Sequence, residues 1–443
     1  EGIKREINHK SMDNYFTFRY VPGSETIFKG IKKLLPGHFL KFFNNDTLIR
    51  KYWDIELSER KKSEQYYSDL ILKFLEDSVK MRLISDVPLG AYLSGGLDSS
   101  AIVGIMSKFS EKPVKTFSVK FEDETIDESQ YAKMVAEHFK TEHHELMVKC
   151  SAMETLPKIT WHLDEPLADP ACIPTLLMSE LTKKHVTVVL TGEGSDELFA
   201  GYDQYKFINM ANRYGFAFRI SSILPHKSLK FRRFKNYVKT KNYLSLLSVF
   251  DENEKESLYT ETVSGKIDNT NIRIDGNSLN NILLFDTKTW LPDDLLVKND
   301  RMTMAHAIEA RVPFLDHRFV ELSSSIPLKM KLKGKNDKYI YRKAISNLIP
   351  KQILKRKKHG FTVPINSWLD GELGEIVSQM FSEINVSKRG YFNHRTVQKI
   401  LRNHNESQPY YKRQAWSLFT FELWNRMFMD SENINKPNLN ILR

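Results

Sequence analysis

Cysteine is almost missing from this chain: Cys150 and Cys172 are the only two among 443 residues, and no paired spacing joins them. That argues against a disulfide framework, a cysteine-rich zinc site or an iron–sulfur cluster, and leaves two buried thiols as the expectation. No run of about 18 apolar residues could cross a bilayer, and the opening EGIKREINHK has no apolar signal-peptide core. A cytoplasmic protein with no membrane partner is expected. There is no Gly-Lys-Ser or Gly-Lys-Thr run, so a P-loop ending of that type is missing as well. Charge of one sign does not dominate. The 66 basic residues are interleaved with 55 acidic ones, and the net +11 suits a polyanionic nucleotide as well as a nucleic-acid polymer.

What is present belongs to a folded protein. Hydrophobic residues at 41% and aromatics at 12% lie far from the composition of a disordered chain. The length predicts two domains, or one large domain with appendages. A first residue Glu1 in place of methionine leads us to expect a processed or truncated chain with function missing upstream.

Pro36-Gly37, then HFLKF, Asn44-Asn45-Asp46 and TLIRKYW, read as a hairpin over 38–52. From Ser63 to Leu83 the apolar Tyr66, Leu70, Leu72, Phe74, Leu75 and Val79 recur at helical spacing. Strand and helix then alternate: GAYL at 90–93, a helix from about Ser99, TFSV at 116–119, a helix capped by Asp127, HHELMV, helices over 152–162 and 172–184, and VTVVL at 186–190. This order predicts an α/β fold, a doubly wound mostly parallel sheet with ligands at the carboxyl ends of its strands, followed by a mainly helical C-terminal part. A basic stretch from Arg219 to Lys241, Arg233 included, reads as a solvated helical face.

Two loops carry the chemistry. Ser94-Gly95-Gly96-Leu97-Asp98-Ser99-Ser100 lies between a buried strand and a helix, where glycines let backbone N–H groups approach an anion and the helix start favours negative charge. A plain glycine-rich turn is the alternative. Asp98 beside phosphates implies an intervening cation, Mg²⁺. The second loop, Thr191-Gly192-Glu193-Gly194-Ser195-Asp196-Glu197, gathers three carboxylates within five residues, and Asp196 is assigned to the same ion. A solvated acidic helix start is the competing reading there.

With these residues in hand, the chain resembles the synthetase part of glutamine-dependent asparagine synthetases, a branch of the PP-loop ATP pyrophosphatases. The resemblance rests on SGGLDSS, TGEGSDELFAGY, LPDDLLVKNDRMTMAHAIEARVPFLDHR at 291–318, DKYIYRKA at 337–344 and RKKHGFTVP at 356–364, in that order. It implies adenylation of the aspartate side chain by ATP and displacement of AMP by ammonia. On this chain it places adenosine-side contacts at Leu93, Val119, Thr191 and Gly192, the pyrophosphate loop at Ser94, Gly95, Gly96 and Ser99, and the magnesium carboxylates at Asp98 and Asp196. Lys338 stands where the family has a phosphate-contacting lysine, and Glu193 where it has an essential glutamate. Both suit the chemistry: an ammonium stabilises charge on phosphate, and a carboxylate can accept a proton from an attacking amine.

The resemblance further divides the chain into 1–57, the end of a glutaminase domain and its connection, 58–430, the adenylating domain, and 431–443, a polar tail. The rest of the glutaminase is expected upstream or as a separate chain, and a homodimer is among the expected assemblies. Related β-lactam synthetases and lasso-peptide cyclases, which close an amide within one substrate, are the alternative; a tRNA-modifying or nucleic-acid-binding protein is the remote one. Arg301, Glu309, Arg311 and Asp316 are read as site-lining or structural, with an ion-pair network as the structural reading for Glu309 and Arg311. Lys355–Lys358 read equally as a solvated turn or as pyrophosphate ligands. His143, His144 and His162 have no companions at metal-ligand spacing and are read as packing or surface residues.

Overall fold

The computed structural model describes all residues except 1–3, 124–126, 150–153, 214–228, 268–273, 275–277, 358–362, 404–408, 432–439 and 443. Helix α1 (His9–Phe18) is capped by the Asn8 side chain and buries Tyr15 and Phe16 completely. Their rings pack edge-on or tilted against Phe421, and Phe16 also meets Phe250 and Phe392. Residues 7–28 therefore share a core with the C-terminal helix Pro409–Trp424. The hairpin formed by β1 (His38–Phe43) and β2 (Asp46–Lys51) stands apart, turning at Asn44 and Asn45, both at positive φ. Its apolar side chains, Phe42 at 66% and Ile49 at 56% among them, are left exposed. Of the tail, Ile441 is buried.

Ser63 accepts a hydrogen bond from the Tyr66 N–H and starts α2 (Glu64–Arg82), as its spacing predicts. Tyr67, Ile71, Leu75 and Val79 form its buried stripe, each contributing roughly 1.5–3 kcal/mol by leaving water. Then follow β3 (Leu89–Tyr92), α3 (Leu97–Phe109), β4 (Lys115–Phe121), α4 (Ser129–Phe139), β5 (Glu142–Val148), α5 (Leu156–Leu163), α6 (Cys172–Lys183), β6 (Val188–Leu190) and, much later, β7 (Glu309–Arg311). The N-cap of α4 is Glu128 and not the expected Asp127, whose carboxylate, one residue earlier, accepts from the Ser129 N–H.

Among the described residues these strands form one parallel five-stranded sheet, ordered β5-β4-β3-β6-β7. Alternation sends Ala91 and Leu190 toward a core shared with α2, α3 and α4. It sends Tyr92 and Val189 to the opposite face, against Met178 of α6. Both faces are covered, which is why the strands read as continuous apolar runs. The order reverses at β3: its chain neighbour β4 lies on one side and β6 on the other. In such sheets that is where the crevice for a ligand opens. Among the described residues no helix is long and apolar enough to cross a membrane.

Candidate active site

The loops after β3 and β6 meet because Ala91 pairs with Leu190 in parallel register. Gly192 faces Asp98 closely enough that an added Cβ would lie 3.2 Å from both the Asp98 Cβ and the Ser99 nitrogen. Any side chain there would push the loops apart. In the first loop the Ser99 hydroxyl accepts from the Ser94 N–H at 3.2 Å, and the two hydroxyls lie 3.1 Å apart. Gly95 has φ +67° and packs its backbone on Tyr131 and Ala132 of α4, where a Cβ would come within 2.5 Å of main-chain atoms. It shapes the turn from behind, whereas Leu93, Ser94, Gly96, Asp98, Ser99, Val119, Thr191, Gly192, Glu193, Asp196 and Lys338 line a cleft of about 820 Å³.

Lys338 holds the centre. It precedes a helix, Tyr339–Ala344, in a left-handed conformation with φ 46°, a backbone state costing on the order of 1–3 kcal/mol for a non-glycine residue. That conformation delivers its ammonium, almost wholly buried, to Asp98 at 2.7 Å, Asp196 at 2.8 Å and the Ser195 hydroxyl at 3.2 Å. Burial opposes the charge, but the carboxylates of Asp196 and Asp98 outweigh it and raise the lysine pKa. The cationic partner that the clustered carboxylates require is thus, among the described residues, a lysine. Gly201 makes room for it: a Cβ there would overlap Asp196 and the Lys338 side chain.

Glu193 lines the same cleft with one buried oxygen, Oε2, that has no hydrogen-bond partner. A buried acceptor without a donor is costly, so a polar ligand atom belongs opposite it. Glu197 is buried behind, receives the Tyr202 hydroxyl at 2.5 Å, and has its pKa pushed up to about 7 by burial and by Asp196. Thr191 accepts weakly from Asn299 at 3.4 Å. The next residue back, Lys298, pairs with Asp169 at 2.8 Å on the far wall. Burial and Asp169 raise Asp294 there to about 6, with the Trp290 ring N–H donating to it.

Arg356 settles the reading of the basic segment 355–358 in part. Its guanidinium stacks over Tyr131 with 3.9 Å to the ring centre, donates to the Gly95 carbonyl at 3.0 Å and pairs with Glu128. It is bolted onto the phosphate-type loop, and Lys357 also lines the cleft. Arg233, read as part of a solvated face, instead lines the cleft, with its guanidinium donating to the Val249 carbonyl at 2.9 Å and pairing with Glu254 at 3.9 Å. Arg219 and Lys227 lie outside the described residues.

Other charged motif residues stay off the cleft. Glu309 pairs with Arg311, which also donates to the Arg82 and Ile84 carbonyls. Asp316 is held by Arg82 and Arg318, and Arg301 by Asp164. Cys172 is buried, its thiol pKa raised by burial, and Cys150 lies outside the described residues. His143 bonds Thr116 and Ser118, as a packing histidine would. For His144 the isolated reading fails: the fold brings His185 and Glu142 to it.

The asparagine synthase family profile matches residues 70–426, spanning both loops and Lys338. The chain belongs to the asparagine synthase family. The chain is 32% identical over 457 residues to glutamine-hydrolyzing asparagine synthetase 1 of Bacillus subtilis, covering 98% of this chain and 72% of that protein. A putative glutamine-hydrolyzing asparagine synthetase of Mycobacterium tuberculosis is 31% identical over 97% of this chain and 69% of its own length. A protein named amidase chyE, of Penicillium rubens, is 28% identical over 85% of this chain and 65% of its own length. Residues 1–53 match a glutamine amidotransferase domain. For this asparagine synthase family member, the candidate site residues legible in the sequence are those on the two loops and Lys338. Ser195, Gly201, Asn299 and the specific role of Arg356 came only with the fold.

Proposed function

We propose that the chain is an ATP-dependent amide-forming ligase that makes asparagine. The side-chain carboxylate of aspartate attacks the α-phosphorus of ATP and pyrophosphate leaves. Ammonia then attacks the acyl carbon and AMP leaves. The observation that carries this reading is the placement of Lys338 between Asp98 and Asp196 at the meeting of the two loops, with Glu193 facing the same cleft.

The loop backbone and the Ser94 and Ser99 hydroxyls bind phosphate oxygens at the start of α3. Lys338 stabilises charge gathering on the departing pyrophosphate. Asp98 and Asp196 are hard oxygen donors of the type Mg²⁺ takes, and would hold it against the phosphates, where it neutralises their charge. Glu193 accepts the proton released as the amine adds. Leu93, Val119, Thr191 and Gly192 form the adenosine side.

The nitrogen source follows from the same division of labour. Ammonia is the attacking nucleophile, and the match of residues 1–53 to a glutamine amidotransferase domain supports glutamine as a source of it. We place the protein in the cytoplasm, with a homodimer as the assembly to be tested. The similarity to a protein named amidase supports a second reading, another carboxylate substrate on the same adenylating site. One assay separates the two: a panel of carboxylic acids is offered with ATP, Mg²⁺ and ammonium, and AMP, ADP, pyrophosphate and phosphate are quantified. Aspartate-stimulated AMP and pyrophosphate are expected. ADP and phosphate would sink the mechanism, and stimulation by a different acid alone would replace the substrate.

A further inference from the structure

The end of the sheet opposite the cleft carries a cluster with no part in the chemistry above. Glu142 and His144 sit two apart on the edge strand β5, so both side chains leave the same face. His185 follows the last turn of α6, where its N–H donates to the Thr182 carbonyl at 2.9 Å. The His144 and His185 rings lie 3.9 Å apart, tilted by 31°, and His144 Nε2 is 3.1 Å from a Glu142 oxygen. His144 also stacks on the buried Phe117 ring at 5.3 Å, which the His185 ring approaches at 5.8 Å. One ligand atom from each of the three residues lies within 4.8 Å of the other two.

We propose that Glu142, His144 and His185 form a binding site for a first-row divalent cation of the zinc class, separate from the nucleotide cleft. Zinc bonds of about 2.0–2.2 Å place tetrahedral donor atoms about 3.4 Å apart, so on binding the three ligand atoms, now within 4.8 Å of one another, draw together and the two imidazoles turn out of their stack. Two imidazoles and one carboxylate make a donor set that suits zinc, copper or nickel and not magnesium. Lys115 stands 3.7 Å from the Glu142 carboxylate and yields its place to the metal, swinging into solvent. The three protein ligands leave a fourth position for water. Bound there, the ion ties the edge strand β5 to the C-terminal end of α6, whose Thr175 and Met178 line the cleft.

The test uses the whole chain titrated with Zn²⁺, and with Co²⁺ for its visible spectrum, in excess Mg²⁺ to fill carboxylate sites. Uptake of one equivalent with a rise in melting temperature is expected, together with weakening by about tenfold or more in His144→Ala and in His185→Ala. His162→Ala, outside the cluster, should bind like the parent. Should either alanine variant fail to fold, Glu142→Gln, at an exposed position, gives the same readout. Equal affinity in the parent and the His144/His185 variants would overturn the proposal, as would no uptake by the parent at about 100 µM Zn²⁺.

Discussion

The ammonium of Lys338 lies 2.7 Å from a carboxylate oxygen of Asp98, a residue 240 positions earlier in the chain. Asp196 approaches the same ammonium from the second loop. Replacing Lys338 with methionine leaves two carboxylates facing each other in a largely buried site. Breaking a buried pair in this way costs about 3–5 kcal/mol. Lys338→Met should therefore melt at lower temperature and lose pyrophosphate release by on the order of 10²–10³-fold. Calorimetry and pyrophosphate detection check the two effects separately.

Asp98→Ala and Asp196→Ala keep one partner each for Lys338, so both variants should stay folded by circular dichroism. Both should lose pyrophosphate release if these carboxylates hold Mg²⁺. Undiminished turnover in the pair would refute the metal assignment.

Gly201 has no room for a methyl group between Asp196 and Lys338. Gly201→Ala should displace the lysine and depress turnover by at least tenfold while leaving the helical core intact. A variant with parental kinetics would show that the ammonium position is not critical.

Asp286 is wholly buried and receives the Tyr205 and Tyr243 hydroxyls at 2.5 and 2.6 Å. Burial raises its pKa from 3.8 to about 7, even though the two tyrosines lower it. A raised folded pKa means that its contribution to stability is full below the unfolded value and is lost as pH rises through about 7. The melting temperature should fall across that window. Asp286→Asn should flatten the fall in part, because Glu197, also raised to about 7, titrates there too. Melting curves from pH 4 to 8 would show it; an unchanged slope contradicts the assignment.

Arg356 is the one arginine joining the 355–358 segment to the Gly95 carbonyl among the described residues. Arg356→Ala should raise the KM for ATP about tenfold with a smaller effect on the aspartate KM. Lysine should rescue poorly, since it lacks the planar guanidinium that stacks on Tyr131.

The sequence alone determined the helix at Ser63, the presence of four of the five described sheet strands and the two loops, because capping, alternation and glycine-dependent turns are decided by neighbours in the chain. It also marked Asp98, Glu193, Asp196 and Lys338 individually. Only the tertiary structure decided that Lys338 sits between the two aspartates, that Gly201 is small to admit it, that Arg356 braces the first loop, and that His185 reaches His144. Each of these relationships joins elements far apart in sequence through the order of the sheet and the packing of helices on its faces. A local pattern of residue types does not encode which distant surface will cover it, so the charge on a lysine or the basicity of an imidazole acquires its partner only when the core closes.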